Sequence, residues 1–239
     1  MSVINYSVLS GDLFPSEVMF IEPVNFIKYV SSIDKRESGY LFCPAVQDFY
    51  KNVFIVLSPL DITFTYDKDS NRVNISGNSG VNQKFFDSYI KIRQGNSQTN
   101  DRFSLSTSFL QLVFYTQDSV TYETLPVFTA YTKNSNYNVI PGKFNIGKWI
   151  RPVDFTFEFI DDALPVVIKR GEPLFTFRLS PQDGSKVELL REMNNFNKEL
   201  HHTINNFTAV KEFSPKLSLD TLYQMAEPLI KLFWKNKVK

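Results

Sequence analysis

Carboxylates and guanidinium groups carry most of the chemistry this chain can offer, because histidine and cysteine are nearly absent. There are two histidines, His201 and His202, and one cysteine, Cys43. The histidines are adjacent in a segment with helical periodicity. Successive helical positions point about 100° apart, so the pair is badly placed to chelate one ion together. A two-histidine, one-carboxylate iron site, a zinc centre and a Ser-His-Asp triad each need histidines supplied by separate elements. The strand-rich part of the chain has none, so no metal and no cofactor is expected. Cys43 lies between Leu41-Phe42 and Pro44. Reactive thiols favour electropositive, partly exposed places, so this neighbourhood predicts a small buried hydrophobe instead. No Walker loop, GxGxxG or GxSxG occurs, and nine glycines leave little material for a phosphate cradle.

The remaining polar candidates fall in two segments. Residues 143–152 read KFNIGKWIRP and place Trp149 and Arg151 just ahead of a proline. Tryptophan and arginine are both enriched at recognition hot spots. Directly after it, Asp154 and Glu158 share the strand face opposite Phe155, Phe157 and Phe159. They are either a general acid–base pair lining a cavity or the solvent face of a strand whose phenylalanines fill the core. Residues 168–175 read IKRGEPLF, where Arg170, Gly171 and Glu172 form either a tight turn or part of a site. At least one of Arg151 and Arg170 is expected to hold a carboxylate in a bidentate pair, with Asp154 or Glu172 as partner. The ligand-binding candidates are therefore Trp149, Arg151, Asp154, Glu158, Arg170 and Glu172.

The elements that must position these groups are mostly strands. Residues 53–57 are continuously apolar. Residues 62–66 alternate and lead through the turn DKDSN into Val73 and Ile75. Strands are read at 110–116, 127–132, 153–159, 166–168 and 174–179, with polar loops at 31–39, 77–80, 94–102 and 134–138. Residues 16–29 are read as extended chain or an edge strand because Pro23 interrupts them, and 45–50 as a short helical turn after Pro44. Beyond residue 180 the periodicity changes to three or four. Residues 186–205 read as an amphipathic helix, and a last helix follows the N-cap Ser218, interrupted by Pro228. Its apolar stripe, Leu222, Met225, Leu229 and Leu232, must pack on something. Residues 53–57 and 166–168 are apolar on both faces and need outer cover, so the helices are expected to supply it.

Short strands at even spacing give the fold expectation: mainly β, a jelly-roll or double-sheet β-sandwich with a C-terminal α-helical extension. Residues 1–180 form the sandwich, residues 1–40 being an N-terminal extended arm or edge strands. Residues 181–239 form the extension packed on it. A chain of 239 residues that is 43% hydrophobic, with 23 Phe and 11 Tyr, can bury such a core without staples.

The segments LFCPAVQDFYKNVFIVLSPLDITF (41–64), NIGKWIRPVDFTFEF (145–159) and VIKRGEPLFTFRL (167–179) resemble a group of uncharacterised proteins of tailed phages, especially marine phages of cyanobacteria. The resemblance spans about residues 40–180 and implies an origin; that family brings no activity. The strand, Gly-x-Pro, strand element is also similar to cupin-like jelly rolls, which implies a pocket between two sheets, although the metal-binding histidines are missing. A looser similarity to dUTPase-like β-clip proteins lacks their glycine-rich substrate loops.

Composition narrows the partners. With 26 basic and 25 acidic residues the net charge is +1, and no basic stripe argues for nucleic acid. The lysines at 231, 235, 237 and 239 are expected to be a solvated helix end rather than a phosphate-binding tail. A single cysteine suits a reducing compartment. The first residues lack the pattern of a signal peptide, and no apolar run approaches the ~18–20 residues of a membrane span. The expectation is a soluble phage-encoded binding or assembly module without catalysis, with a protein partner or self-association, in the infected cell's cytoplasm or the virion. The alternative is a metal-independent enzyme or small-ligand binder using a pocket in the sandwich.

Overall fold

The computed structural model describes residues 1–9, 20–33, 39, 43–70, 72–77, 92–96, 103–107, 110, 112–127, 136–192, 197–213 and 216–237. The protein is mainly β, with the strands arranged as a sandwich and the helical extension at the C-terminal end. The largest sheet has the order β11 (Gly142–Asn145), β9 (Val120–Leu125), β14 (Pro173–Pro181), β3 (Val53–Leu57) and β2 (Val24–Asn25). A four-stranded sheet runs β10 (Tyr137–Val139), β12 (Phe155–Phe159), β7 (Phe103–Thr107) and β6 (Ile92–Asn96). Two three-stranded sheets complete the set: β13 (Val166–Ile168), β4 (Ile62–Asp67), β5 (Arg72–Ser76), and β15 (Val187–Arg191), β1 (Ser2–Val8), β8 (Leu112–Tyr115).

Period-two patterning explains the core. β12 buries Phe155, Phe157 and Phe159 on one face, and β9 buries Val120, Tyr122 and Thr124. Phe155, Phe157, Phe159 and Tyr122 join Phe54, Phe114, Phe175 and Phe177 in one cluster rich in aromatic side chains. Rings meet at centroid distances of 4.8 Å for Phe114–Phe177 and 5.3 Å for Tyr122–Phe177. Such pairs add about 0.5–1.5 kcal/mol each beyond area burial.

Two helical pairs cover outer faces. α1 (Phe26–Ile33) and α2 (Pro44–Tyr50) pack Phe26 and Val30 onto Val53 and Ile55 of β3. α3 (Asn197–Phe213) and α4 (Leu219–Lys237) pack Phe207, Leu222, Ala226 and Phe233 onto Val113 and Tyr115 of β8. The C-terminal helices thus lie across a sheet as expected, but on a different strand. β3 has its own helical lid, and Val167 of β13 is 50% exposed. An apolar run specifies that something covers it, and chain order does not say which segment arrives.

Several local expectations are corrected. Residues 187–191 are a strand, β15, parallel to β1, and the described helix that follows is Asn197–Phe213. Val187 and Leu190 fit a helical spacing, but Val187 and Leu189 fit a strand equally well, and pairing with β1 decides, leaving Leu190 exposed. Within 16–29, a helix begins at Phe26, capped by Asn25, whose Oδ1 accepts the N–H of Ile27. α4 runs on through Pro228. Its buried stripe is Leu222, Ala226 and Phe233, whereas Met225 and Leu232 are 44% and 51% exposed. Cys43 is exposed, not buried. Lys237 is folded back onto the sheet rather than solvated. Strand β6 runs on to Asn96, into the expected loop at 94–102, and β10 begins at Tyr137, inside that at 134–138. The strand at 128–132 and the loop segments 34–38, 78–80, 97–102 and 134–135 lie outside the described residues, as does Lys239.

Candidate functional site

The turn before β12 is built to hold one conformation. Asn145 Oδ1 accepts the N–H of Gly147 at 2.9 Å, and its Nδ2 donates to Ser119 Oγ at 2.8 Å. The Asn145 carbonyl accepts the N–H of Trp149, and Ile146 N–H donates to Val120 O. Gly147 cannot be replaced freely, because a Cβ there would lie 2.1 Å from the Asp118 carbonyl oxygen. Next, Pro152 biases Arg151 toward an extended backbone. Val153 N–H donates to Leu112 O at 2.7 Å, tying the segment to β8.

This turn delivers Trp149, Arg151 and Asp154 to one cleft of about 280 Å³. Trp149 is buried and stacks on Phe207 of α3, centroids 5.1 Å apart. Arg151 Nη2 donates to Asp154 Oδ2 at 2.5 Å, and its Nε to Pro152 O at 3.2 Å. The guanidinium lies 5.5 Å from the centroid of the Phe144 ring. The expected arginine–carboxylate pair therefore exists, held by one bond instead of two. Tyr122 and Thr124 of β9, Thr156 of β12 and Lys143 of β11 add the strand side of the cleft. Lys211 of α3 and Leu222 of α4 add the helical side. The cleft is a seam between sandwich and extension, and Tyr223 Oη accepts the N–H of Asn145 at 2.8 Å beside it.

The other candidates lie elsewhere. Glu158 is four residues beyond Asp154, about 13 Å along a strand. That exceeds the roughly 9.5 Å limit for two carboxyl groups working on one bond in glycoside hydrolysis. Glu158 instead accepts from Asn138 Nδ2 at 3.5 Å. Arg170 and Glu172 belong to the β13–β14 turn, where Gly171 has φ 83°. The turn is clamped on the loop after β3. Gly171 N–H donates to Ser58 O and Ser58 N–H to Glu172 O, each at 2.8 Å, while Arg170 N–H donates to Asp61 Oδ1 at 2.7 Å. Glu172 Oε2 accepts the N–H of Lys169. This geometry serves a turn.

Tyr122, Thr124 and Lys211 were missed in sequence. The alternation V-T-Y-E-T-L at 120–125 was passed over as a strand, and nothing in it says which hydroxyls reach a cleft. A wider cleft of about 490 Å³ lies between Lys148 and α4, lined by Asp220, Tyr223, Gln224 and Glu227. It collects none of the converging groups. Burial raises the phenol pKa of Tyr122, so it stays a neutral hydroxyl near neutral pH. No group of three His, Cys, Asp or Glu side chains converges among the described residues, and no described helix is long and apolar enough to cross a membrane. The chain matches no protein-family model and no curated protein.

Proposed function

We propose that the chain is a phage-encoded binding or assembly module without catalysis, and that it binds at the cleft between sandwich and helical extension. The observation that carries this reading is the convergence of Trp149, Arg151 and Asp154 there, with the carboxylate already engaged by the arginine. The Asp154 carboxylate oxygen is already taken up in holding the arginine, and aromatic walls around a partly satisfied arginine suit recognition. The resemblance of residues 40–180 to tailed-phage proteins supports the origin, with the infected cell's cytoplasm or the virion as location.

A thermal-shift screen of small molecules against the whole protein, followed by mass spectrometry of each hit after long incubation, tests the reading. The expected result is a saturable shift, lost in Arg151→Ala, with the ligand recovered intact. Steady conversion of a hit to product at substoichiometric protein would sink the non-catalytic reading. Detection of the chain in purified virions would place it in assembly; its restriction to the infected cell would remove that role.

A further inference from the structure

The cleft carries hydrogen-bonding capacity that its own walls leave unused, and its interior is electrically balanced. The inner charges are Arg151 and Asp154, one of each sign, joined at 2.5 Å. Of the two lysines on the lining, Lys143 is exposed and Lys211 already has a partner. Tyr122 and Thr124 share the inward face of β9 and are 1% and 8% exposed. Their one shared hydrogen bond runs from Thr124 Oγ1 to Tyr122 Oη at 3.4 Å. Two hydroxyls carry two protons and this bond uses one, so the Tyr122 proton has no protein acceptor among the described residues. Arg151 and Asp154 act on that phenol with opposite sign, so the three groups are neighbours. A buried donor without an acceptor is costly, and a ligand oxygen would relieve it. Asp154 offers the converse: Oδ2 holds Arg151, and Oδ1 has no donor among the described residues. The other walls are apolar: Phe144, Trp149 and Leu222.

We infer that this cleft binds an uncharged single-ring compound carrying a carbonyl next to an N–H, a carboxamide or a lactam. The inference rests on the reading of the cleft as the binding locus and names its ligand class. The carbonyl oxygen accepts from the Tyr122 hydroxyl, the N–H donates to Asp154 Oδ1, and the ring lies against Phe144 and Trp149. A charged ligand would give up its hydration for a cleft whose ion pair is already closed, so an uncharged one loses less on entry. A volume of about 280 Å³ admits one ring and excludes a nucleotide-sized molecule.

Calorimetric titration of the full chain with benzamide, 2-pyridone, acetophenone and benzoate tests it. At least one of benzamide and 2-pyridone should bind about tenfold more tightly than benzoate and about threefold more tightly than acetophenone, which has the carbonyl without the N–H. The tighter of the two identifies carboxamide or lactam. The double variant Tyr122→Phe, Thr124→Val replaces both hydroxyls with apolar groups of similar shape. Its melting temperature should hold or rise, while the dissociation constant of the tighter compound rises about three- to tenfold. Should it melt lower, Tyr122→Phe alone carries the comparison, with a rise of about threefold. Benzoate binding as tightly as the amides overturns the uncharged class, and acetophenone binding as tightly overturns the carbonyl–N–H pairing. An affinity unmoved by loss of the hydroxyls overturns the inference too. Binding by none of the four compounds overturns the ligand class, and the wider thermal-shift screen then judges the binding reading separately.

Discussion

α1 and α2 lie on the outer face of β3, and α3 and α4 on the outer face of β8. The first cover is held by apolar contact, through Phe26 and Val30 on β3 and the Phe26–Tyr50 stack at 4.2 Å, with long hydrogen bonds from Asn25 Nδ2 to Lys51 O and Val53 O and the Arg178 guanidinium 4.4 Å from the Phe49 ring at its margin. The second has comparable apolar contact plus directional anchors. Tyr115 Oη donates to Glu192 Oε2 at 2.8 Å, Lys237 pairs with the same carboxylate, and its ammonium lies 4.7 Å from the Tyr115 ring centroid. Tyr223 adds the bond from the Asn145 backbone. Apolar burial is non-directional and tolerates sliding. Hydrogen bonds and ion pairs fix where a helix sits. The cover pinned by an ion pair and by the Tyr223 hydroxyl forms a wall of the cleft, and the other shields a strand.

The most severe way to break this comparison is to remove residues 216–239. Doing so uncovers Val113 and Tyr115 and deletes Leu222, Ala226 and Phe233, so melting temperature and solubility should fall together. A truncated protein that stays soluble, monomeric and equally heat-stable would show the last helix to be a separate arm. Next in size are Phe207→Ala and Phe26→Ala, one ring from each cover. Each should cost about 3–5 kcal/mol in denaturant unfolding. Only Phe207→Ala should also alter the near-ultraviolet signal of Trp149 and weaken cleft ligands, because it removes the stacking partner. Equal effects of both on the cleft would erase the distinction between the covers.

Gly147→Ala should cost about 1–3 kcal/mol, since the Asp118 carbonyl stands where the Cβ must go and the turn carrying Trp149 has to shift. Gly171→Ala makes a useful contrast: nothing lies within 4 Å, so its cost is the positive φ alone, about 1 kcal/mol, with the cleft undisturbed. The smallest effect concerns the β4–β5 turn, remote from both covers. The Ser70 hydroxyl, then the N–H groups of Ser70 and Asp69, hold the Asp67 carboxyl below the usual carboxylate range. A depressed folded-state pKa contributes stability above the unfolded value, near 3.9, that disappears as pH falls through the folded one. Carboxyl NMR should show Asp67 titrating low, and Ser70→Ala should move its midpoint upward without touching cleft binding.

Much of the sandwich was legible. β4, β5 and β12 follow from period-two alternation, because burying one face of a strand imposes that pattern, and β3, β13 and β14 from short apolar runs bounded by turn residues. β15 was not, since five residues with three apolar positions satisfy either period. Helix α1 was hidden by Pro23, which proved to stand before the short strand β2 rather than inside the helix. Half of the candidate site was also legible. Trp149, Arg151 and Asp154 lie within six positions of one another, so local geometry keeps them close.

The sequence by itself determined the class of structure, the scarcity of metal-binding side chains and the segment that carries the cleft's arginine, because these depend on composition and on neighbours a few positions apart. Only the tertiary structure decided which helices cover which strand. It alone brought Tyr122 and Lys211 to Arg151, and left Glu158 and Arg170 out of the cleft. Those outcomes depend on long-range packing, in which non-directional apolar burial accepts many partners and a few directional bonds select one.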